Sequence, residues 1–349
     1  MYIIDLACIS PQRTFDNGIF EGDIKIYAGD RYEAIEPGYG PLIPAGLLRR
    51  MGKAVRMGVG TGLPLVQKWD PDGIILATAN GGLEDCLKFL NQIVDYDEGT
   101  LTPTNFVQST PNAIAGNLAM MGKKTGYNAT HVHKGLAFEA ALVDALMLFE
   151  EDKNVRHLLV GSVEEISDYN HNIDFLAGTF KKGQYNSETL LATGTPGSVN
   201  GEGATMFILR SEAGTASLGR IRDVYQTSYL PGNDIAPMLT EMLERNALKV
   251  SDIDTVLLGL SGDVRTDGLY TGLSAQFFEN SKLYTYKNLV GDYPTSSAWA
   301  TWLAIQLFKG KPAPASAILA TRNANVPRNI LIYNHYKGIQ HGLILLSAS

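Results

Sequence analysis

Short continuous apolar runs alternate with longer segments of helical spacing along the whole chain. An apolar run bounded by turn residues is typical of a buried strand, and apolar positions at helical spacing indicate an amphipathic helix. The predicted strands are one around Cys8 and residues 73–79, 157–161, 204–209, 255–259, 317–320, 329–333 and 342–347. The predicted helices cover residues 47–63, 84–94, 113–121, 136–149, 234–246 and 298–308.

Strands alternate with helices in both halves of this pattern, which predicts a layered α/β fold built from two similar halves. We place the boundary near residue 215, so that the halves are residues 1–215 and 216–349. Residues 168–200 are polar and rich in Gly, Asn, Ser and Thr, which predicts a long loop.

Composition narrows the function classes. The chain has 349 residues and a formal net charge of −7, which argues against a general nucleic-acid-binding role. No apolar stretch approaches the roughly 20 residues of a membrane span, and the N-terminus lacks a secretion signal, so we expect a cytoplasmic protein without a span. Cys8 and Cys86 provide neither a disulfide framework nor a metal-ligand cluster, and small buried hydrophobes are the expected identity of both. The glycines at 58–62 lack the context of a phosphate-binding loop, so neither a cofactor nor a metal is predicted.

Residues 128–137, Asn-Ala-Thr-His-Val-His-Lys-Gly-Leu-Ala, form the most informative motif, a strand that turns into an alanine-rich helix. A cysteine at such a turn is activated as a thiolate by the helix N-terminus and nearby backbone N–H groups. The chain places Val132 there, between His131 and His133. Histidines in such turns commonly bond the backbone or line an interface, but either ring is also a candidate for a relocated general base.

The order of the motifs resembles the β-ketoacyl-ACP synthases of the thiolase-like superfamily. Residues 106–116, Phe-Val-Gln-Ser-Thr-Pro-Asn-Ala-Ile-Ala-Gly, resemble the segment ahead of the family's nucleophile. Residues 135–146 resemble the helix that follows it, residues 158–164 the next strand and turn, and residues 201–204 the Gly-Glu-Gly-Ala element. The resemblance covers nearly the whole chain. It implies a thiolase-like layered αβαβα fold, with a β-ketoacyl-synthase-like first half and a thiolase-like second half.

Active members of the family use one cysteine and two histidines, and the resemblance places other residues at all three positions. Val132 stands at the cysteine position, or His133 if the alignment slips by one residue. Gly259 replaces the first histidine, and Asp292 replaces the second. Since valine and glycine carry no polar side-chain atom, the resemblance implies that the nucleophile, oxyanion and general-base roles lose their groups.

The segments around these positions still follow the family. Asp267 closes the frame of the first histidine element, and Lys287 keeps its place ahead of Asp292. Lys287 is a candidate to anchor Asp292 or Asp267 in a buried network, and a purely structural ion pair is the alternative. Residues 334–341 replace most glycines of the family's closing loop.

Four basic residues give predicted helix 47–63 a charged face in an otherwise acidic protein: Arg49, Arg50, Lys53 and Arg56. Family members dock an acidic acyl carrier protein on a basic surface that includes this region, so the resemblance implies carrier-protein docking there. An ordinary solvated helix face is the alternative.

The resemblance therefore implies a chain-length-factor-like subunit that does not condense acyl units itself. Such a subunit forms a heterodimer with an active β-ketoacyl synthase and shapes its acyl tunnel in fatty-acid or polyketide-type biosynthesis. The short chain and the His-Lys-Gly-Leu-Ala-Phe-Glu signature at 133–139 also resemble synthase-like proteins of aryl-polyene and flexirubin pathways. Two alternatives stay open. One is an active 3-oxoacyl-ACP synthase or other acyltransferase that uses His133 or a hydroxyl, and the other is a homodimeric acyl-binding protein.

Overall fold

The computed structural model describes residues 1–183, 185–321 and 326–349. Its strands are β1 Tyr2–Ile9, β2 Arg31–Tyr32, β3 Gly73–Thr78, β4 Tyr127–Val132, β5 His157–Glu164, β6 Asn200–Gly201, β7 Gly203–Arg210, β8 Gly219–Ser228, β9 Thr255–Leu258, β10 Lys282–Thr285, β11 Ile318–Ala320, β12 Asn329–Tyr336 and β13 Gln340–Ser347. Its α-helices are α1 Ala45–Leu48, α2 Lys53–Trp69, α3 Leu83–Asp95, α4 Pro103–Gln108, α5 Ala113–Gly122, α6 Ala137–Glu151, α7 Asp168–Leu176, α8 Ala236–Arg245, α9 Asp267–Phe277, α10 Lys287–Val290 and α11 Ser297–Phe308.

The two halves of the chain repeat one strand order. The first half runs β4-β3-β5-β7-β1 and the second runs β10-β9-β12-β13-β8. In both, the first three strands are parallel and the last two alternate in direction. β1 pairs with β8 and joins the halves into one sheet, with β11 added at its outer edge. The prediction of two similar halves is confirmed. The boundary near residue 215 falls between β7 and β8 and stays a prediction.

Helices cover the strands in layers. α6 contacts β3, β4 and β5 of the first half and also β8 of the second, and α11 contacts β12 as well as β1 and β7. These two helices therefore form a central layer between the halves. α11 is apolar on nearly all sides and buried from Ser297 to Leu307, as a helix covered on both faces must be. α2 and α5 pack outside the first half and α8 and α9 outside the second, which completes the predicted αβαβα arrangement.

The prediction of one helix over 47–63 is wrong, because the chain forms α1 and α2 with an irregular link between them. The side chain of Gln108 holds that link out of the helix. Its Oε1 accepts the N–H of Gly52 at 2.7 Å, and its Nε2 donates to the carbonyl of Arg50. Gly52 then begins α2 from an extended conformation, and the basic residues predicted on one helix face divide between the link and α2.

The prediction of a long loop over 168–200 is wrong at both ends, since residues 168–176 form α7 and Asn200 begins β6. His171 of α7 is buried and its ring stacks on Phe180 at 4.9 Å, which fixes the helix despite its polar composition. The sequence pattern also misses β8, β10 and α9. β8 and β10 mix polar with apolar residues and so lack the continuous apolar run that marks the predicted strands. Glycines interrupt the helical pattern of α9. Among the described residues, no helix is long and apolar enough to cross a bilayer.

Candidate functional site

The turn after β4 places a valine where the motif calls for a nucleophile. Val132 ends β4 and is 52% exposed, and His133 leads into a single helical turn ahead of α6. Gly135 in this turn donates its N–H to Gln340 Oε1 at 2.9 Å. A Cβ at Gly135 would lie 2.1 Å from the Cβ of Tyr336, so only glycine fits beneath the β12–β13 hairpin. The helix entry is well supported, and it presents no nucleophilic side chain at position 132.

The histidines beside Val132 do not reach a common site. His133 is exposed. His131 points to α6, where its Nε2 lies 2.8 Å from Asp144 Oδ2, and the Tyr127 hydroxyl donates to the same carboxylate at 3.2 Å. This group lies on the outer strand of the sheet. His131 thus contacts a side chain of α6 rather than the backbone, and both interpretations of these histidines stay predictions.

The space at Gly259 is filled by two tyrosines and an asparagine. Gly259 follows β9 and is buried. A Cβ placed there would lie 2.5 Å from the Tyr270 hydroxyl, 2.8 Å from Asn334 Oδ1 and 3.0 Å from the Tyr286 hydroxyl. The Tyr286 hydroxyl donates to Asn334 Oδ1 at 3.0 Å, and the Tyr270 hydroxyl accepts the N–H of His335 at 3.0 Å. A histidine therefore has no room at this position without displacing these side chains.

Asp292 is held by the retained lysine. Lys287, 2% exposed, places its Nζ 2.7 Å from Asp292 Oδ1 and also donates to the carbonyl of His335 at 3.3 Å. Asp267 lies within electrostatic range of both, and its carboxylate accepts the N–H groups of Ser261 and Gly262 at 3.0 and 2.7 Å. Burial raises the pKa of Asp267. The structure thus brings Asp267, Lys287 and Asp292 close together, and Asp292, which the resemblance aligns with the second histidine, forms an ion pair with Lys287.

Two cavities adjoin Asp292. The outer cavity, about 370 Å³, lies between Asp292, His335, Lys337 and the loop that contains Asp263 and Thr266. The inner cavity, about 40 Å³, lies behind Lys337 against Glu164, Glu165, Ser167 and Asn200. Charged side chains reach both cavities, since Asp292 and Lys337 line each of them.

Two buried acids line the inner cavity. Burial raises the pKa of Glu164 to about 8, although Glu164 accepts N–H groups from Ala79 and Asn80 at 2.5 and 3.2 Å. Burial also raises the pKa of Glu165 to about 7. Glu164 therefore stays mostly protonated at pH 7 while Glu165 is about half protonated, and the cavity carries less negative charge than its composition indicates.

The basic residues of the predicted docking face are not equivalent. Lys53 lies 2.5 Å from the buried Glu202, and Arg56 makes two 2.7 Å contacts with Glu36. Arg49 and Arg50 are exposed in the link before α2. They border a groove of about 580 Å³, which adjoins an apolar pocket of about 290 Å³ at Arg50, Met51 and Thr104.

An exposed apolar surface surrounds β4. β4 is the last strand of the sheet, so its outer edge has no strand partner among the described residues. α3 is strongly amphipathic, yet none of its residues, all of which the structure describes, is buried. Phe89 of α3 packs against Phe106 of α4 at 5.3 Å. The exposed apolar side chains of this surface are Leu90, Val94, Phe106, Val107, Met120, Tyr127, Val132 and Met147.

Sequence reasoning missed the side chains that fill the site. Tyr270 and Tyr286 come from α9 and the start of α10, where no motif marks them, and Asp174 lies in the stretch predicted as a loop. His335 and Lys337 belong to the altered segment 334–341. The large side chains of that segment, where the resemblance implies glycines, are the sequence signal that could have pointed to these residues.

The comparisons agree with the resemblance. Residues 32–173 match the family model described as the β-ketoacyl synthase N-terminal domain. No curated protein matches the sequence.

Solved structures match over the whole chain. A β-ketoacyl synthase from Burkholderia phymatum STM815 has a TM-score of 0.78 at 16% identity, covering 100% of this chain and 99% of the other. The ishigamide ketosynthase/chain length factor has a TM-score of 0.79 at 14% identity, with 100% and 98% covered. The complex of ketosynthase ApeO with its chain length factor ApeC from Xenorhabdus doucetiae has a TM-score of 0.77 at 14% identity, with 100% and 98% covered. The resemblance predicted from the sequence is thereby confirmed: residues 32–173 match the β-ketoacyl synthase N-terminal domain, and the whole chain has the thiolase-like fold of β-ketoacyl synthases and chain length factors.

Proposed function

We propose that the chain is a non-condensing, chain-length-factor-like subunit that pairs with an active β-ketoacyl synthase. The observation that carries the proposal is the packing at Gly259. Tyr270, Tyr286 and Asn334 occupy the space that a histidine would need there. If a histidine side chain were simply missing, an empty pocket would remain at Gly259. A pocket filled by other side chains indicates instead that the core has adapted to the absence of the histidine.

The other two positions support the same conclusion. Val132 offers neither a thiol nor a hydroxyl, and Asp292 is neutralised by Lys287 at 2.7 Å. A carboxylate in an ion pair accepts hydrogen bonds but does not donate one to a developing enolate or oxyanion, as a histidine does. Condensation therefore lacks both its nucleophile and its electrostatic support.

The exposed apolar surface around β4 supports a partner subunit. The open edge of β4 and the unburied apolar face of α3 each expose surface that a stable monomer normally covers. Solved complexes with the same fold pair a ketosynthase with a chain length factor. The proposed partner is an intact Cys-His-His synthase that covers this surface.

Co-purification tests the pairing. The chain, co-expressed with an intact synthase from the same gene neighbourhood, is expected to form a stable heterodimer. A variant with both Val132→Asp and Met120→Asp places charge in the surface around β4 and should abolish the heterodimer. Ile318→Asp, on the β11 edge at the opposite end of the sheet, is the matched control and should leave it intact. A homodimer that excludes the synthase would contradict the proposal.

Carrier-protein docking is proposed for Arg49 and Arg50, the exposed members of the predicted basic face. Arg50 lines an apolar pocket, and Arg49 lines the adjoining groove. An acidic helical partner that also presents an apolar residue would complement both features. The change R49E/R50E should weaken acyl carrier protein binding more steeply at low salt than at high salt, as measured by titration. Lys311→Glu, an exposed basic residue of the second half, should leave binding unchanged.

A further inference from the structure

The turn between β12 and β13 separates the inner cavity from the outer one. Lys337 of this turn lines both cavities. Its Nζ lies 3.0 Å from Asp174 Oδ1 of α7, and the Thr179 hydroxyl donates to the same carboxylate oxygen at 3.2 Å. The ion pair therefore spans the opening between the hairpin and α7.

The two sides of this contact differ in how firmly they are held. The hairpin is fixed against the turn after β4 through Tyr336 and Gln340, which pack on and bond Gly135. The contact with α7 depends on an ion pair whose side chains are 38% and 25% exposed. Exposed pairs of this kind contribute about 1 kcal/mol or less and weaken with salt. The hairpin turn is thus held less firmly against α7, at Lys337 and Asp174, than against the turn after β4.

The backbone at Lys337 does not by itself favour a lysine. Its φ is +54°, in the left-handed region that glycine adopts readily and that residues with a Cβ adopt rarely. Glycine at this position would suit the turn but would remove the ammonium. The contact with α7 and the stability of the turn are therefore separable by one substitution.

We propose that Lys337 and Asp174 form a latch that controls entry to the inner cavity. With the pair made, the inner cavity and its acids Glu164 and Glu165 are closed off from the outer cavity. With the pair broken, α7 moves away from the hairpin and the two cavities become continuous beside Asp292. The latch operates within this chain alone, so it stands whether or not the chain has a partner subunit.

Thiol labelling tests the latch. Ser167 lines the inner cavity and is 3% exposed, so Ser167→Cys in a Cys86→Ser background gives a reporter of nearly the same size. The native Cys8, 1% exposed in β1, reports global unfolding in the same molecule. Alkylation by N-ethylmaleimide is followed by mass for both cysteines.

Adding Lys337→Gly should speed labelling at position 167 about fivefold, which corresponds to about 1 kcal/mol for an exposed pair, while Cys8 labels no faster. High salt should speed labelling with Lys337 present and have little effect in the glycine variant. The charge swap D174K/K337D should restore slow labelling, and Lys124→Met, which breaks an ion pair with Asp70 elsewhere, should change nothing. Fast labelling with the pair intact, no acceleration in K337G, or equal acceleration at Cys8 would each overturn the latch.

Discussion

The packing at Gly259 makes a quantitative prediction about stability. Gly259→Ala adds one methyl group whose carbon would lie 2.5 Å from the Tyr270 hydroxyl and 2.8 Å from Asn334 Oδ1. Both distances are well below van der Waals contact, and both oxygen atoms belong to buried side chains. Overpacking of this kind costs about 1–3 kcal/mol. The backbone at Gly259 has no positive φ, so the cost is steric rather than conformational.

Urea denaturation followed by circular dichroism measures the effect. The matched control is Gly272→Ala in α9, an exposed position where an added Cβ has no neighbour within 4 Å. The same substitution there should stabilise the protein by about 0.5–1 kcal/mol, because alanine favours a helix over glycine. The two glycine-to-alanine changes are thus expected to have opposite signs.

A double-mutant cycle assigns the cost to Tyr270. Tyr270→Phe removes the nearest atom, so Gly259→Ala should cost about 1 kcal/mol less in that background. If Gly259→Ala instead stabilises the protein as Gly272→Ala does, the position is empty. The reasoning that the histidine site has been filled would then be refuted.

Three further predictions concern buried polar groups and the link before α2. Burial raises the pKa of Glu139 from 4.5 to about 7, so the ionisation of this carboxyl group destabilises the folded protein as pH rises between these values. Glu139→Gln should therefore leave the free energy of unfolding unchanged near pH 4 and raise it by about 3 kcal/mol at pH 8, as measured by urea denaturation. A flat difference across pH would contradict this. Lys287→Met should cost about 2 kcal/mol by leaving Asp292 unpaired, and adding Asp292→Asn should recover part of it, whereas full additivity would show that the two do not interact. Gln108→Ala should speed hydrogen exchange at residues 50–52 while α11 stays protected, and an unchanged rate would mean that Gln108 does not hold the link.

The sequence pattern predicts well those strands and helices that are buried on both faces. Seven elements lie within a few residues of their predicted bounds: β3, β5, β7, β9, α5, α6 and α11. Their continuous apolar runs and small-residue helices are compatible with few other secondary structures. The errors lie where tertiary contacts override local pattern. The helix over 47–63 is broken by Gln108, which is distant in sequence, and α7 forms because His171 stacks on Phe180.

The site divides in the same way. The assignment of Val132, Gly259 and Asp292 to the catalytic positions comes from the order of the motifs and stays a prediction. Lys287 pairs with Asp292, one of the two carboxylates that the sequence indicates as its candidate partners. The sequence does not show that Tyr270 and Tyr286 meet at Gly259, since that contact joins three elements. The separation of Arg49 and Arg50 from the paired Lys53 and Arg56 depends likewise on carboxylates far along the chain or across a loop.

The proposal that this chain does not condense acyl units is tested most directly by intact mass. The purified chain is incubated with acyl and malonyl carrier proteins, beside an intact Cys-His-His synthase as positive control. With the acyl carrier protein alone, the synthase should gain the mass of the acyl group and release the free carrier protein. When the malonyl carrier protein is then added, the synthase should lose that mass and release carbon dioxide, because the acyl group passes to the decarboxylating malonyl unit. The chain alone should gain no mass and release no carbon dioxide. A stoichiometric acyl adduct on the isolated chain would contradict the proposed role and locate an active site elsewhere in the fold.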